Sequence, residues 1–356
     1  MDDYNRSLKQ LCECFRGEFP KQADWVRLVG LANRTLTTPS LREFALRFKD
    51  RIPADLFECI AEMHRRNLER NDRLTAQLAE AVAALNEAGI VPVLLKGAAT
   101  LATSERLNCG SKLMCDLDIM VVPAEMIASV QALQGVGYRV IHETPPHAER
   151  WYADLMRRRD AGAIDLQSQL PGPAFFYPGQ RQFRNHCRPV AIGQGTALVP
   201  CATYQALILV IHDEFLDNGY WVGHMDLRHL LDLRDLVRTG GVDWQMLSSL
   251  APSRLARNAL ETQMVALSSM LGTDVPASLR RRWMPRLQHW RRTCLARFPF
   301  LRLPLLLFAL LDYGNYVRGP GEAIRRPTGF GRLRVPKSST LRSLLALSAT
   351  QRAGKI

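Results

Sequence analysis

The chain has 356 residues, of which 47% are hydrophobic and 23% charged, so it can form a proper core and widespread disorder is excluded. Its net charge of +13 is uneven, because residues 276–356 contain 17 Lys and Arg against 2 Asp and Glu. The 275 residues before them are close to neutral, which predicts an anionic partner for the basic C-terminal segment alone.

Residues 1–88 are predicted to form a helical N-terminal region. From Leu56 onward the apolar residues recur with the spacing of one helix face, and the pattern stops at Gly89. A glycine directly after the last periodic residue is a common helix end. The sequence therefore predicts one long amphipathic helix before the period changes.

Residues 89–200 are predicted to form an α/β domain, because short apolar segments alternate here with short helical ones. Two strand-like segments flank Asp160-Ala161-Gly162, which predicts a hairpin. Strands that alternate with helices and end in a hairpin indicate a small mixed sheet with helices packed on one side. The other predicted strands are 90–95, 117–122 and 138–142, and the predicted helices are 98–105 and 124–133.

The sequence after the hairpin is predicted to be irregular first and helical afterwards. Residues 171–200 are rich in Pro, Gly and Arg, and we expect a loop there. The helical period returns from Thr203 to Leu271, so residues 201–275 are predicted to form a helical domain.

The basic segment 276–356 contains one apolar stretch, FPFLRLPLLLFALL at 298–311, that has three interpretations. It is too short to span a membrane, and we expect a buried helix that begins near Pro304. Apolar residues with basic flanks are also typical of a segment that binds an anionic membrane surface. The third interpretation is a nucleic-acid-binding arm, although the interleaved aromatic residues expected for base stacking are missing.

Asp116 and Asp118 stand inside the apolar run SKLMCDLDIMVVP, where a strand is expected. Residues i and i+2 project from the same face of a strand, so the two carboxylates point together. Two like charges that close favour a cation between them or the loss of one charge. The pair suits a hard divalent cation, most naturally Mg²⁺, which prefers carboxylate oxygens and keeps positions for water and phosphate. The alternative is an Asp pair at a turn or strand edge that faces water.

Asp165 is the candidate for a third carboxylate ligand. It lies between Ile164 and Leu166 in the strand-like run AIDLQSQL and faces the same burial problem. If this strand lies beside LDIMVV, the three carboxylates converge at one end of the sheet. The alternative is a salt bridge with the arginines at 157–159.

Lys96 and Gly97 follow the first predicted strand directly and begin a helix. A glycine lets the backbone approach a phosphate, and the amides at a helix start favour anions. Lys96 adds a charge for phosphate oxygens, or is simply a surface lysine. The spacing is not that of a Walker A loop.

The order of these motifs resembles the polymerase-beta-type nucleotidyltransferase superfamily. More closely, LLKGAATL, SKLMCDLDIMVV and AIDLQSQL, followed by LILVIHDEF and LRHLLDLRDLV, resemble a largely uncharacterised bacterial nucleotidyltransferase-like family. The resemblance covers roughly Leu85 to Leu271. It implies an α+β chain with a minimal nucleotidyltransferase fold, a helical N-terminal region and a helical C-terminal domain.

The resemblance also implies a Mg²⁺-dependent enzyme that transfers a nucleoside monophosphate from an NTP to a hydroxyl-type acceptor and releases pyrophosphate. The acceptor stays open between a small molecule, a carbohydrate, a protein and an RNA end. The implied catalytic and metal-binding residues are Asp116, Asp118 and Asp165. The implied nucleotide-binding residues are Lys96, Gly97 and Lys112. The implied secondary residues are His212 and Asp232, and both have a structural role as the alternative.

Three residues depart from the family pattern. Ala98 follows Gly97 where Gly or Ser is usual, Lys112 stands where Arg is common, and Gln167 replaces a His. None of these changes removes an implied metal ligand. They favour a second hypothesis, a non-catalytic nucleotide-sensing or partner-binding module of the same fold. A membrane-peripheral adaptor that uses the basic segment is a third.

The cysteines and the N-terminus predict a cytoplasmic protein, peripheral to a membrane if the basic segment binds one. The eight cysteines are scattered, and Cys12 and Cys14 have no second ligand pair at zinc-finger spacing, so we expect reduced thiols. The polar start MDDYNRSLKQ is not a secretory signal, and no apolar run of about 18–20 residues predicts a spanning helix.

Overall fold

The structure is a computed structural model that describes residues 2–144, 151–172, 180–301, 304–306 and 354–356. The chain forms two compact units. We call Thr38–Leu170 with Tyr177–Gln205 the sheet unit, and Met1–Thr37 with Pro171–Phe176 and Ala206–Ile356 the helical unit. The predicted division at residues 88, 200 and 275 stays a prediction.

The described residues contain both helices and strands along most of their length. In chain order, the helices are α1 (Asp2–Phe15), α2 (Trp25–Arg34), α3 (Arg42–Arg47), α4 (Ala54–Glu87), α5 (Lys96–Thr103), α6 (Arg106–Cys109), α7 (Met126–Gly135), α8 (Gln180–Arg184), α9 (Ala202–Ile211), α10 (Gly219–Val222), α11 (Leu227–Arg238), α12 (Trp244–Ser249), α13 (Arg254–Leu271) and α14 (Trp283–Arg297). The strands are β1 (Val93–Leu94), β2 (Asp116–Met120), β3 (Arg139–Glu143), β4 (Tyr152–Met156), β5 (Ala163–Gln167), β6 (Cys187–Ile192) and β7 (Gly195–Pro200).

The sheet unit is built on a seven-stranded mixed sheet with the strand order β3-β4-β5-β2-β1-β7-β6. β5 runs parallel to β2, and β7 runs parallel to β1, while the other neighbours are antiparallel. The predicted strands 90–95, 117–122 and 138–142 correspond to β1, β2 and β3. The predicted hairpin is β4–β5. The mixed sheet confirms the predicted α+β class.

The two faces of the central strands differ because side chains alternate along a strand. One face carries fully buried apolar side chains such as Leu117 and Ile119 of β2 and Ile164 and Leu166 of β5. These residues share one core with α4, α5 and α7. Full burial of such a side chain stabilises the fold by about 1.5–3 kcal/mol, so the core fixes the register of the strands. The other face carries the acidic residues.

Residues 187–200 correct the prediction of a loop over 171–200, because they form the hairpin β6–β7. The structure describes a short helix, α8, before them. Pro189 lies on β6, the last strand of the sheet, where a missing backbone N–H is tolerated. Gly193 adopts φ 56° in the turn. The prediction gave too much weight to Pro and Gly and missed that Ala197 and Val199 alternate as buried residues of β7.

The helical unit contains α1, α2 and α10 to α14. Side-chain caps begin several of these helices: Asp24, Asp226, Asp243 and Ser253 each accept a hydrogen bond from a backbone N–H in the first turn. The predicted helical domain over 201–275 corresponds to α9 to α13. Among the described residues, no helix is long and apolar enough to cross a membrane. Of the stretch 298–311, the structure describes residues 298–301 and 304–306, and residues 304–306 are helical where the predicted helix begins. The rest of that helix lies outside the described residues.

Candidate active site on the sheet

Asp118 and Asp165 lie side by side on neighbouring parallel strands. They are register partners in the β2–β5 pair, and Asp116 precedes Asp118 on the same face of β2. Directly opposite residues in neighbouring strands have Cβ atoms about 4.5–5.5 Å apart. Gly162 permits this approach, since a Cβ there would lie 2.6 Å from the carbonyl oxygen of Cys115. The structure therefore brings the three predicted carboxylates together.

Lys96 supplies a positive charge to this site. Its ammonium lies 2.7 Å from Oδ1 of Asp118, and both side chains are largely buried. Burial alone would lower the pKa of Lys96, but Asp118, followed by Asp116 and Asp165, raises it above the ordinary value. The backbone of Lys96 is left-handed, with φ 45°, which is unfavourable for a residue with a Cβ. Such strain often occurs at functional sites.

Asp165 shows that the site carries more negative than positive charge. Burial raises the pKa of its carboxyl to about 7, and the carboxylates of Asp118, Asp154 and Asp116 add to the effect. The ammonium of Lys96 opposes it without cancelling it. A further cation would stabilise the ionised form of a carboxyl group in this setting.

Asp154 is a fourth carboxylate that the sequence interpretation missed. It is the register partner of Asp165 across the β4–β5 hairpin. A turn centred on Ala161 would have placed Arg157 opposite Asp165. Arg157 instead donates hydrogen bonds to Asp160 and Glu80. The register of the hairpin therefore places an acid beside Asp165, and not the arginine of the alternative interpretation. The matching ADL and IDL triplets of the two arms were the available signal. Asp116, Asp118, Asp154 and Asp165 are called the sheet acid cluster below.

The other predicted nucleotide-binding residues lie near the start of β2. Gly97 is in α5, and a Cβ there would lie 3.1 Å from the sulfur of Met114. Lys112 is in the loop before β2, and its carbonyl oxygen accepts hydrogen bonds from Asn67 and Asn71 of α4. These bonds fix the loop that leads into the sheet acid cluster, while contact of either residue with a nucleotide stays a prediction.

A comparison with known families places this geometry in context. A family model described as uncharacterised nucleotidyltransferase matches residues 21–272, which is more than half of the chain. The chain belongs to this family. The predicted family and the predicted nucleotidyltransferase fold are thereby confirmed, and nucleotidyl transfer is the general activity that membership supports. No curated protein and no solved structure shows a significant similarity to the chain.

The helical unit of this family member contains a second group of ionisable residues. Ligand atoms of Asp213, Asp226 and His229 all lie within 4.8 Å of one another. The ammonium of Lys355 lies 2.5 Å from Asp213, 2.8 Å from Asp217 and 3.3 Å from Asp226. These five residues are called the Lys355 cluster below. They combine the end of the chain with a π-helical turn, His212–Leu216, and the start of α11.

The three carboxylates of the Lys355 cluster are matched by three basic groups: Lys355, His229 and the neighbouring Arg228, which lies 2.7 Å from Asp226. Burial alone would raise the pKa of Asp213, but the ammonium of Lys355 and the imidazole of His229 hold it well below the usual range. Burial alone would lower the pKa of Lys355, but Asp213, Asp226 and Asp217 raise it. The paired charges explain the burial of this cluster without an added ion.

The predicted secondary residues belong to the helical unit. Nδ1 of His212 lies 3.6 Å from Asp217, and the rings of His212 and His229 are 5.3 Å apart. Asp232 is half-buried on α11. The side chain of His229, beside Asp213, is only 15% exposed. No local pattern indicates that Lys355 pairs with residues more than a hundred positions away.

Proposed function

We propose that the chain is a Mg²⁺-dependent nucleotidyltransferase that uses an NTP such as ATP and a hydroxyl-type acceptor. The observation that carries the proposal is the placement of Asp118 and Asp165 as register partners, with Asp116 on the same face and with too little positive charge beside them. Such a set of carboxylates fits Mg²⁺, which prefers carboxylate oxygens. Asp116 is exposed and leaves space for water and phosphate oxygens.

The proposed reaction forms one bond and breaks another at the α-phosphorus of the NTP. The acceptor oxygen attacks this phosphorus, the bond to the bridging oxygen of the β-phosphate breaks, and pyrophosphate leaves with the electron pair. Mg²⁺ held by Asp116, Asp118 and Asp165 would stabilise both the attacking and the leaving oxygens. Asp165 also accepts the proton of the acceptor hydroxyl.

The remaining predicted residues orient the triphosphate in this proposal. Lys96 already bears its charge against Asp118, so its ammonium can bind phosphate oxygens without a change of protonation. Gly97 and Lys112 lie at the start of α5 and before β2, where they would contact the phosphates. His212 and Asp232 would act within the helical unit, where the contact of His212 with Asp217 supports a positioning role.

The test is calorimetric binding of α,β-methylene-ATP in the presence and absence of Mg²⁺. Asp118→Asn is expected to weaken the Mg²⁺-dependent binding about 100-fold, equivalent to about 2.7 kcal/mol. The matched control is Asp72→Asn, which removes an exposed carboxylate of α4 that pairs with Arg106. Equal binding by wild type, Asp118→Asn and Asp72→Asn would contradict the proposal.

The second candidate function is a non-catalytic nucleotide-sensing or partner-binding module, favoured by Lys112 and Gln167. Lys112 supplies a charge without the bidentate geometry of an arginine. Incubation with labelled ATP, GTP, CTP and UTP and a cell lysate separates the two functions. A labelled acceptor that is lost with Asp165→Ala supports the enzyme, and absence of label with all four supports the module.

A membrane-peripheral adaptor has less support. Of the basic segment, Arg282, Arg291, Arg292 and Lys355 all bond to groups within the protein. Liposome co-sedimentation tests the remaining charge: binding to anionic vesicles would support the adaptor, and no binding would contradict it. The predicted cytoplasmic location stays a prediction.

A further inference from the structure

Four ionisable side chains form one row across four neighbouring strands. His142 of β3 is the register partner of Asp154 in β4. Asp154 is in turn the partner of Asp165 in β5, and Asp165 is the partner of Asp118 in β2. Partners directly opposite one another project from the same face of a sheet. The row therefore continues from the proposed metal and nucleotide site towards β3, the last strand on this side.

The two ends of the row differ in charge. At the β2 end, the ammonium of Lys96 lies against Asp118 and offers positive charge to a triphosphate. At the β4 end, the half-buried Asp154 lies between Asp165 and His142 in register and adds a further carboxylate. A triphosphate carries several negative charges and favours the end with Lys96, so Asp154 faces the space that is left for the acceptor.

Gln167 gives an independent indication of a ligand beside Asp154. It lies two residues after Asp165 and so on the same face of β5, between Tyr152 and Met120 in register. Its side chain is only 7% exposed, and its Nε2 has no hydrogen-bond partner within the described part of the chain. A buried amide donor without a partner costs about 1–3 kcal/mol, and a ligand oxygen that accepts its hydrogen bond would remove that cost.

We propose that the site has an acceptor-binding part, formed by Asp154, Gln167, Tyr152 and His142. Its acceptor is a neutral or cationic compound with hydroxyl or ammonium groups and no acidic group near the reacting oxygen. The proposal rests on the proposed nucleotidyl transfer. Asp154 accepts hydrogen bonds from the acceptor, and Gln167 donates one to it. The rings of Tyr152 and His142, whose centroids are 5.3 Å apart, border the same patch. Repulsion from Asp154 and Asp165 weakens the binding of a phosphate-bearing acceptor.

The test uses three probes that differ in charge: glucose, glucosamine and glucose 6-phosphate. Their binding to protein saturated with Mg²⁺ and α,β-methylene-ATP is measured by saturation-transfer NMR titration. We expect glucose and glucosamine to bind and glucose 6-phosphate to bind at least about tenfold more weakly. Asp154→Asn should weaken glucosamine binding about tenfold, the equivalent of one hydrogen bond to a charged group, and reduce the discrimination against phosphate.

Two further variants separate this role from a structural one. Gln167→Leu should weaken all probes that bind and leave the nucleotide affinity within about twofold of wild type. Glu143→Gln is the control, because Glu143 is an exposed carboxylate of β3 that accepts a hydrogen bond from Trp151, which glutamine can keep. It should leave probe binding unchanged. Asp154→Asn removes a repelling charge and is expected to fold at least as stably as wild type.

The failures of the two proposals are distinguishable. If the wild type does not bind α,β-methylene-ATP with Mg²⁺, the proposed function is wrong and the acceptor site falls with it. If the nucleotide binds but no probe does, or Asp154→Asn and Glu143→Gln behave alike, the acceptor site alone is overturned. If Asp154→Asn weakens the nucleotide as strongly as Asp165→Asn, Asp154 is a metal ligand and the acceptor site is also overturned.

Discussion

The sheet acid cluster and the Lys355 cluster both gather carboxylates in largely buried positions, but they differ in how the charge is neutralised. In the Lys355 cluster, one ammonium contacts three carboxylates and His229 adds a second basic group. In the sheet acid cluster, Lys96 contacts Asp118, and the pKa of the Asp165 carboxyl is still raised to about 7. The first cluster is complete within the chain, and the second gains from a cation that the chain does not provide.

This difference shows why ligand geometry alone does not identify a metal site. Asp213, Asp226 and His229 have the spacing of a metal centre. Lys355 already occupies the position that a cation would take. The sheet acid cluster has more carboxylates than cationic groups. This shortage of positive charge is therefore the better indication of a site that binds Mg²⁺ and substrate. Removing the ammonium from each cluster tests the comparison directly.

Lys355→Met is expected to have the largest effect. It leaves Asp213 and Asp226 buried without their main cation, and such a change costs about 3–5 kcal/mol of the free energy of unfolding. It also weakens the docking of the C-terminus, where Ile356 and Met225 exchange backbone hydrogen bonds. Urea unfolding at pH 7.5 measures the loss.

Lys9→Met is the control for Lys355→Met. Lys9 belongs to the same unit and pairs with Glu13 at 3.9 Å, with 78% of its side chain exposed. Its loss should change the free energy of unfolding by less than about 0.5 kcal/mol. If Lys355→Met is no less stable than Lys9→Met, the Lys355 cluster does not depend on its ammonium and the comparison fails.

Lys96→Met is expected to have a smaller effect that Mg²⁺ reverses in part. Asp118 and Asp165 are neighbours and can share a proton when the ammonium is removed, which limits the loss of stability to about 2 kcal/mol. A bound cation then replaces the missing charge. Thermal unfolding is measured with and without about 5 mM Mg²⁺. The added Mg²⁺ should raise the Tm of the variant more than the Tm of wild type. An equal rise in both would contradict the predicted cation site.

The sequence allowed much of the sheet unit to be predicted, because local patterns carry the information there. The alternation of apolar and acidic residues in LDIM and AIDL predicts both a core face and an acidic face, and the parallel β2–β5 pair brings the two acids together as expected. The register of the β4–β5 hairpin was not predictable to the residue. That register places Asp154, and not Arg157, beside Asp165.

The Lys355 cluster was not predictable for a different reason. Its members come from the π-helical turn after α9, the cap of α11 and the end of the chain, and only the tertiary fold brings them together. Asp226 appears in the sequence as an ordinary helix cap, and it is one, since it accepts a hydrogen bond from the N–H of Arg228. Nothing local distinguishes a cap that faces water from one that faces a buried lysine.

Asp165→Asn should give a gain in stability, the reverse of the loss expected for the lysine variants. The pKa of Asp165 is raised from 3.8 to about 7 in the folded, metal-free protein. The unfolded state therefore releases this proton more easily, and the wild type loses stability as the pH rises from about 4 to about 7. The asparagine cannot ionise, so the variant should be more stable than wild type by up to about 4 kcal/mol at pH 8 in EDTA. The difference should shrink as the pH falls and vanish below about 4. A variant that is equally or less stable at pH 8, measured beside Asp72→Asn, would show that the sheet acid cluster is already balanced and would remove the physical reason for a cation there.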